Sequence, residues 1–283
     1  MAKAPLSEIK ESDAIGETAA LYDDIRAVIG VPMVNLIFRH MATVPGCLMW
    51  AWGTIRSLYV SGEIPTAAAA LTAKVLPGHA ADLSMPISTA GLSSSNVAAI
   101  DRVLDAYGRA NPMNLVGLKI IDLALDGAPQ NPATGKAPAL TVSDLKVPDG
   151  LAELLPMADP AASSARTRDA LNTLARQIHG GDTGVIPSLY RHFGEWPDFL
   201  ENLEGALTPT FADDSFESAA QTMRNAGETV AINLYETLPL PDMAPPGAST
   251  AKTLKGLIGQ FPPNICRMTV LATLLQRGLP EAS

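Results

Sequence analysis

The side chains best suited to proton transfer and to gripping an acid occur in this chain as a matched pair. Leu36-Ile37-Phe38-Arg39-His40 is followed five residues later by Pro45, and Ser188-Leu189-Tyr190-Arg191-His192 is followed five residues later by Pro197. Arg191 lies 152 residues after Arg39, and Pro197 lies 152 after Pro45. Histidine titrates nearest neutrality, so it can give or take a proton. Arginine presents a planar fork that fits a carboxylate. The same residues also suit a purely structural role, with each Arg-His pair packing or capping on its own helix.

A second pair of landmarks follows. Asn111-Pro112-Met113-Asn114 in the first half is answered by Pro262-Pro263-Asn264-Ile265 in the second, each ahead of a long apolar segment. A period this long is no solenoid unit. It implies one duplicated helical unit folded back on itself, with a cleft at the join.

The elements that must position these residues read as helices. The spacing predicts a helix over 15–29 (Leu21, Tyr22, Ile25, Val28, Ile29), stopped by Gly30 and Pro32. Further helices are expected over 34–41, from Met49 to Leu58, and from Pro65 to Leu76. Ser93 to Ser95 should cap another, running to Gly108 and ending before Asn111-Pro112, because proline ordinarily terminates a helix. A separate helix over 115–125, apolar almost all round, should be central in the core. Residues 127–162 carry six prolines and read as a surface linker. The helical series resumes at about Ser163, with Ser249 expected as a cap after Pro239 to Pro246. The expected fold is all-α, two homologous helical repeats forming an intramolecular pseudo-dimer: 1–126, linker 127–162, and 163–283.

Composition narrows the function classes. The 283 residues carry a net charge of −9, with 29 acidic against 20 basic side chains, and 47% are apolar. No basic stripe suits nucleic acid or an anionic membrane. The two cysteines, Cys47 and Cys266, make no CxxC, and no histidine stands at metal-ligand spacing, so no metal is expected. No apolar run approaches the roughly 20 residues of a membrane span. The charged N-terminal stretch lacks a signal-peptide core, so a cytoplasmic location is expected. Self-association into a homo-oligomer is left open.

Taken in order, Leu21-Tyr22-Asp23-Asp24-Ile25-Arg26, Val31-Pro32-x-Val34, Ala42-Thr43-x-Pro45-Gly46, Ala51-Trp52, Arg102-Val103-Leu104-x-Ala106-Tyr107 leading to Asn111-Pro112, and Trp196-Pro197 resemble the group I (DehI-type) 2-haloacid dehalogenases. The resemblance covers essentially the whole chain. It implies a cofactor-free hydrolase of short 2-halocarboxylic acids, in which an Asp of the second repeat activates water that displaces halide with inversion. An Asn of the first repeat helps to hold that water.

Carried over by position, the family's Asn falls on Asn111 and the Ser beside its Asp falls on Ser188. The Asp itself falls on Leu189, and two aromatic pocket residues fall on Met33 and Leu36. The resemblance thus implies a diverged member lacking the catalytic Asp. A shifted count would place that Asp on Asp182. His192, three residues after Leu189 and so on the same helical side, can stand in as base. Arg191 is a candidate for the substrate carboxylate. The expected catalytic residues are Asn111 and His192; Met33, Leu36, Ser188, Leu189 and Arg191 are the expected substrate contacts. The expected partner is a small organic acid. The alternative is a diverged homologue that binds or transforms a different small organic acid without dehalogenation.

Overall fold

The structure, a computed structural model, describes residues 7–80, 87–131, 135–181, 185–212, 214–237, 239–241 and 243–280. Among them every regular element is helical, apart from an isolated bridge between Ala137 and Pro241. The chain runs through α1 (Gly16–Ile29), α2 (Leu36–Met41), α3 (Cys47–Val60), α4 (Glu63–Ala80) and α5 (Ser94–Leu125). After the proline-rich segment come α6 (Ala165–His179), α7 (Ser188–Arg191), α8 (Pro197–Thr210), α9 (Ser215–Thr237), α10 (Ala248–Ile258) and α11 (Pro262–Gly278).

The two series match locally. Both α1 and α6 end on a glycine in the left-handed conformation, Gly30 (φ 73) and Gly180 (φ 67), which a side chain would strain. The short helices α2 and α7 are then held by the same backbone contact. Ile9 N–H donates to the Arg39 carbonyl, and Ala158 N–H donates to the Arg191 carbonyl. The His40 ring Nδ1 meets the Ser7 carbonyl, and the His192 Nδ1 meets the Leu155 carbonyl.

One expected boundary is absent. Instead of two helices separated at Asn111-Pro112, α5 is a single 32-residue helix with Pro112 inside it. Proline removes one N–H and crowds the carbonyl four residues earlier. That carbonyl belongs to Gly108, whose Cβ position is open space. The helix is buried on nearly all sides from Ala110 to Leu118, so packing outweighs the lost hydrogen bond. In the second half the equivalent stretch does break: Gly259 ends α10, and two consecutive prolines begin α11. The cap ahead of α10 is Gly247 rather than Ser249, which lies inside the helix.

The core centres on α5, which packs against α11, α9 and α4. Gly227 lets α9 approach closely, since a methyl group there would lie 2.5 Å from a Leu115 methyl carbon. Cys47 and Cys266 are both free and buried.

The 127–162 segment does more than cross the surface. Asn131 N–H donates to the Glu236 carbonyl, Lys146 N–H donates to Asp24, and Leu155 and Ala158 hold α7. Asp24, fully buried, also accepts from Trp52 Nε1 (2.6 Å) and from both Arg56 Nε (2.7 Å) and Nη2 (2.9 Å). That hub ties α1 and α3 to the connecting segment. No helix among the described residues is long and apolar enough to cross a membrane.

Candidate active site

A cavity of about 440 Å³ opens between the matched segments. Its wall draws on the Met33–Leu36 turn and Arg39 from the first half, and on Ser188 and His192 from the second. The middle of α5 contributes Tyr107, Asn111 and Asn114; these lie at i, i+4 and i+7, one helical face. The break before α11 brings Phe261, Asn264, Ile265 and Met268 to the wall, and the connecting segment closes it with Glu153 to Met157.

His192 is the C-cap residue of α7 and is 5% exposed. Its ring packs edge-on to Tyr107, with centroids 5.7 Å apart. A carbonyl only accepts, so the contact with Leu155 fixes the proton on Nδ1 and leaves the Nε2 lone pair available. Burial lowers the His192 pKa to about 4, and the positive charges of Arg191 and Arg39 add to that effect. The imidazole is therefore neutral at neutral pH and able to accept a proton. Burial raises the Tyr107 phenol well above its ordinary value, so it stays protonated; the Ser188 hydroxyl lies within hydrogen-bonding reach of it.

Asn111 and Asn114 are 5% and 1% exposed, and their amide nitrogens have no partner among the described residues. The side-chain amide oxygen of Asn35, on the same wall, is likewise buried and without a partner among the described residues. Unsatisfied buried amides are costly, about 1–3 kcal/mol each, unless a ligand or water completes them. The arginines of the wall are already engaged. Arg39 lies 2.8 Å from Glu8, Arg26 pairs with Glu11 and Asp23, and Arg267 lies 2.8 Å from Glu217. Direct recognition of an anion would fall to neutral donors, with the charges of Arg39 and Arg191 close enough to act on His192.

Of the residues expected at the site, Met33, Leu36, Asn111, Ser188 and His192 line this cavity together. Leu189 does not. It is 0% exposed and packed in the core beside Tyr190, because on a four-residue helix the neighbouring position points the other way. Arg191 is also outside the wall; its Nε donates to the Ala158 carbonyl at 2.9 Å, and its counterpart Arg39 faces the cavity instead. Asp182 lies outside the described residues. Among those described, no group of three or more His, Cys, Asp or Glu side chains could hold a metal ion.

Asn114 and the Leu155 carbonyl are not among the residues expected from the sequence. Asn114 carried a signal, a second amide three residues after Asn111 in an otherwise apolar helix. The Leu155 carbonyl carried none, being backbone.

No family model matches the chain. It is 24% identical over 220 residues to a configuration-inverting 2-haloacid dehalogenase of Alcaligenes xylosoxydans xylosoxydans, covering 76% of this chain and 73% of that protein. It is 26% identical over 224 residues to a configuration-inverting 2-haloacid dehalogenase of Pseudomonas sp. strain 113, covering 77% and 71%. Among solved structures it resembles a D-2-haloacid dehalogenase mutant with a TM-score of 0.74 at 17% identity, over 99% of this chain and 98% of that one. A complex of such a mutant with D-2-chloropropionate gives a TM-score of 0.68 at 19% identity, covering 100% and 98%. The chain is thus a relative of the group I, configuration-inverting 2-haloacid dehalogenases and shares their all-helical fold.

Proposed function

We propose that this protein hydrolyses the carbon–halogen bond of 2-halocarboxylic acids by direct attack of water, with inversion at C2. The observation that carries the reading is the convergence of a buried, neutral imidazole and unpaired amides in one cavity, on a chain related to inverting 2-haloacid dehalogenases. Water is a poor nucleophile, so the site must supply a base and exclude bulk solvent. Asn111 holds the water, and the Nε2 of His192 takes its proton as oxygen bonds to C2 and the halide leaves with the electron pair. The products are a 2-hydroxy acid, halide and a proton.

Ser188 and Asn114 offer neutral donors to the substrate carboxylate, while Arg39 and Arg191 favour the anion through their field. Met33 and Leu36 give the halide and C2 substituent an apolar wall. The organisation into repeats 1–126 and 163–283 joined by 127–162 belongs to the same reading. It is supported by the matched contacts of α2 and α7. We place the enzyme in the cytoplasm.

Halide release from both enantiomers of 2-chloropropionate, with chiral analysis of the hydroxy acid, tests the proposal. A single turnover in ¹⁸O-water should put the label in the product and none in the protein. Label in the protein would mean a covalent ester and overturn direct water attack. Thermal stabilisation by short acids without any halide release would favour the binding alternative.

A further inference from the structure

We infer that the cavity is built for 2-halo acids with an unbranched tail, about six to eight carbons in all, rather than for two- and three-carbon acids. The hydrolase reading supplies the reacting group; the tail follows from the cavity alone. At about 440 Å³ it has room for roughly 15 water molecules at their share of liquid volume, about 30 Å³ each. A 2-halopropionate has six non-hydrogen atoms, which would leave more than half of that space wet beside the reacting carbon. A 2-bromooctanoate has eleven and leaves room for a few waters, among them the nucleophile. Expelling bulk water is what lets a neutral base and neutral donors act strongly.

The wall offers such a ligand both kinds of surface, with His179 and Arg267 standing among its apolar residues. Its polar side chains include Tyr107, Asn111, Asn114, Ser188 and His192 from α5 and α7. Ile178, Ile186, Ile265 and Met268, from α6, the residues just ahead of α7, and α11, present only hydrocarbon or thioether surface. With Met33 and Met157 also on the wall, three methionines give a flexible surface that adapts to tails of different length.

Halide release from the 2-bromo acids of three to ten carbons, kept below their micelle concentrations, tests this. Apolar burial predicts that kcat/KM rises about three- to fourfold per added methylene, to a maximum near six to eight carbons. Met268→Trp should move that maximum at least two carbons shorter. The unhalogenated straight-chain acids provide a readout independent of chemistry, since stabilisation of the wild type should grow with chain length in the same way.

A profile that is flat or highest at three carbons, with no growth in stabilisation, overturns the inference and leaves the hydrolase standing. Length-dependent stabilisation without halide release from any acid does the reverse. Absence of both overturns the two together.

Discussion

His40 and His192 occupy matching places, and their differences show how one chain made a single site from two similar segments. Both follow an arginine, and both hold a backbone carbonyl through Nδ1. Yet His40 lies outside the cavity with its ring against Phe261, 5.6 Å between centroids, while His192 faces the cavity beside Tyr107. The arginines reverse the pattern: Arg39 reaches the cavity and Arg191 turns to a backbone carbonyl. The cavity wall thus takes an arginine from the first half and a histidine from the second. Two equal motifs in sequence are not two equal sites.

The largest expected effect separates the two histidines. Asparagine can reproduce the Nδ1–H donor to the backbone while removing Nε2. His192→Asn should therefore lower kcat by about 10²- to 10⁴-fold, the usual contribution of a general base. His40→Asn should leave kcat within about twofold. Steady-state halide release with thermal melts of both variants checks this; equal losses would erase the distinction.

Ser188 and Leu189 offer the next contrast. Leu189→Asp would bury an unpaired carboxylate in the core and should cost about 3–5 kcal/mol without gaining activity. Ser188→Asp puts the carboxylate on the cavity wall, near Asn111, and should raise the rate or restore part of what His192→Asn loses. Denaturant melts and halide assays of the two variants decide it.

A third comparison concerns how each half is braced. The first relies on buried Asp24, which serves Trp52, Arg56 and the Lys146 N–H; the second has the exposed Arg166, bridged to Asp198 and Glu201. Asp24→Ala strands the Arg56 charge and should cost about 3–5 kcal/mol, read from the urea midpoint. Arg166→Ala should move that midpoint hardly at all, since exposed ion pairs contribute little.

The smallest effect is the pH dependence. The folded His192 pKa, about 4, is below the unfolded value of about 6.5. Its contribution is thus fully present above pH 6.5 and is lost as pH falls towards 4, because the unfolded chain binds the proton first. The loss should be roughly 3 kcal/mol at most, and His192→Asn should flatten that part of a stability–pH curve.

Much of this was legible in the sequence, because helix stops and the Arg-His repeat are written in side chains. Gly30 ends α1 where expected, Ser93 caps α5 through the Asn96 N–H, and the apolar stretch after Pro112 is indeed central. The passage of α5 through Pro112 was not legible, since it depends on burial by neighbours distant in sequence. Nor was the facing of Ser188 against Leu189: counting from Trp196-Pro197 fixes a position but not which side of a one-turn helix meets the cavity. The wall formed by Glu153 to Met157 was hidden for a related reason. Proline-rich composition signals an extended segment, but not what that segment covers.

The most direct test of the account is halide release by wild type and His192→Asn from each enantiomer of 2-chloropropionate, with melts to confirm folding. The account predicts release by the wild type with inversion to the 2-hydroxy acid, and at least a hundredfold loss in the folded variant. No release from either enantiomer by folded wild type, or equal rates from the two proteins, would contradict it.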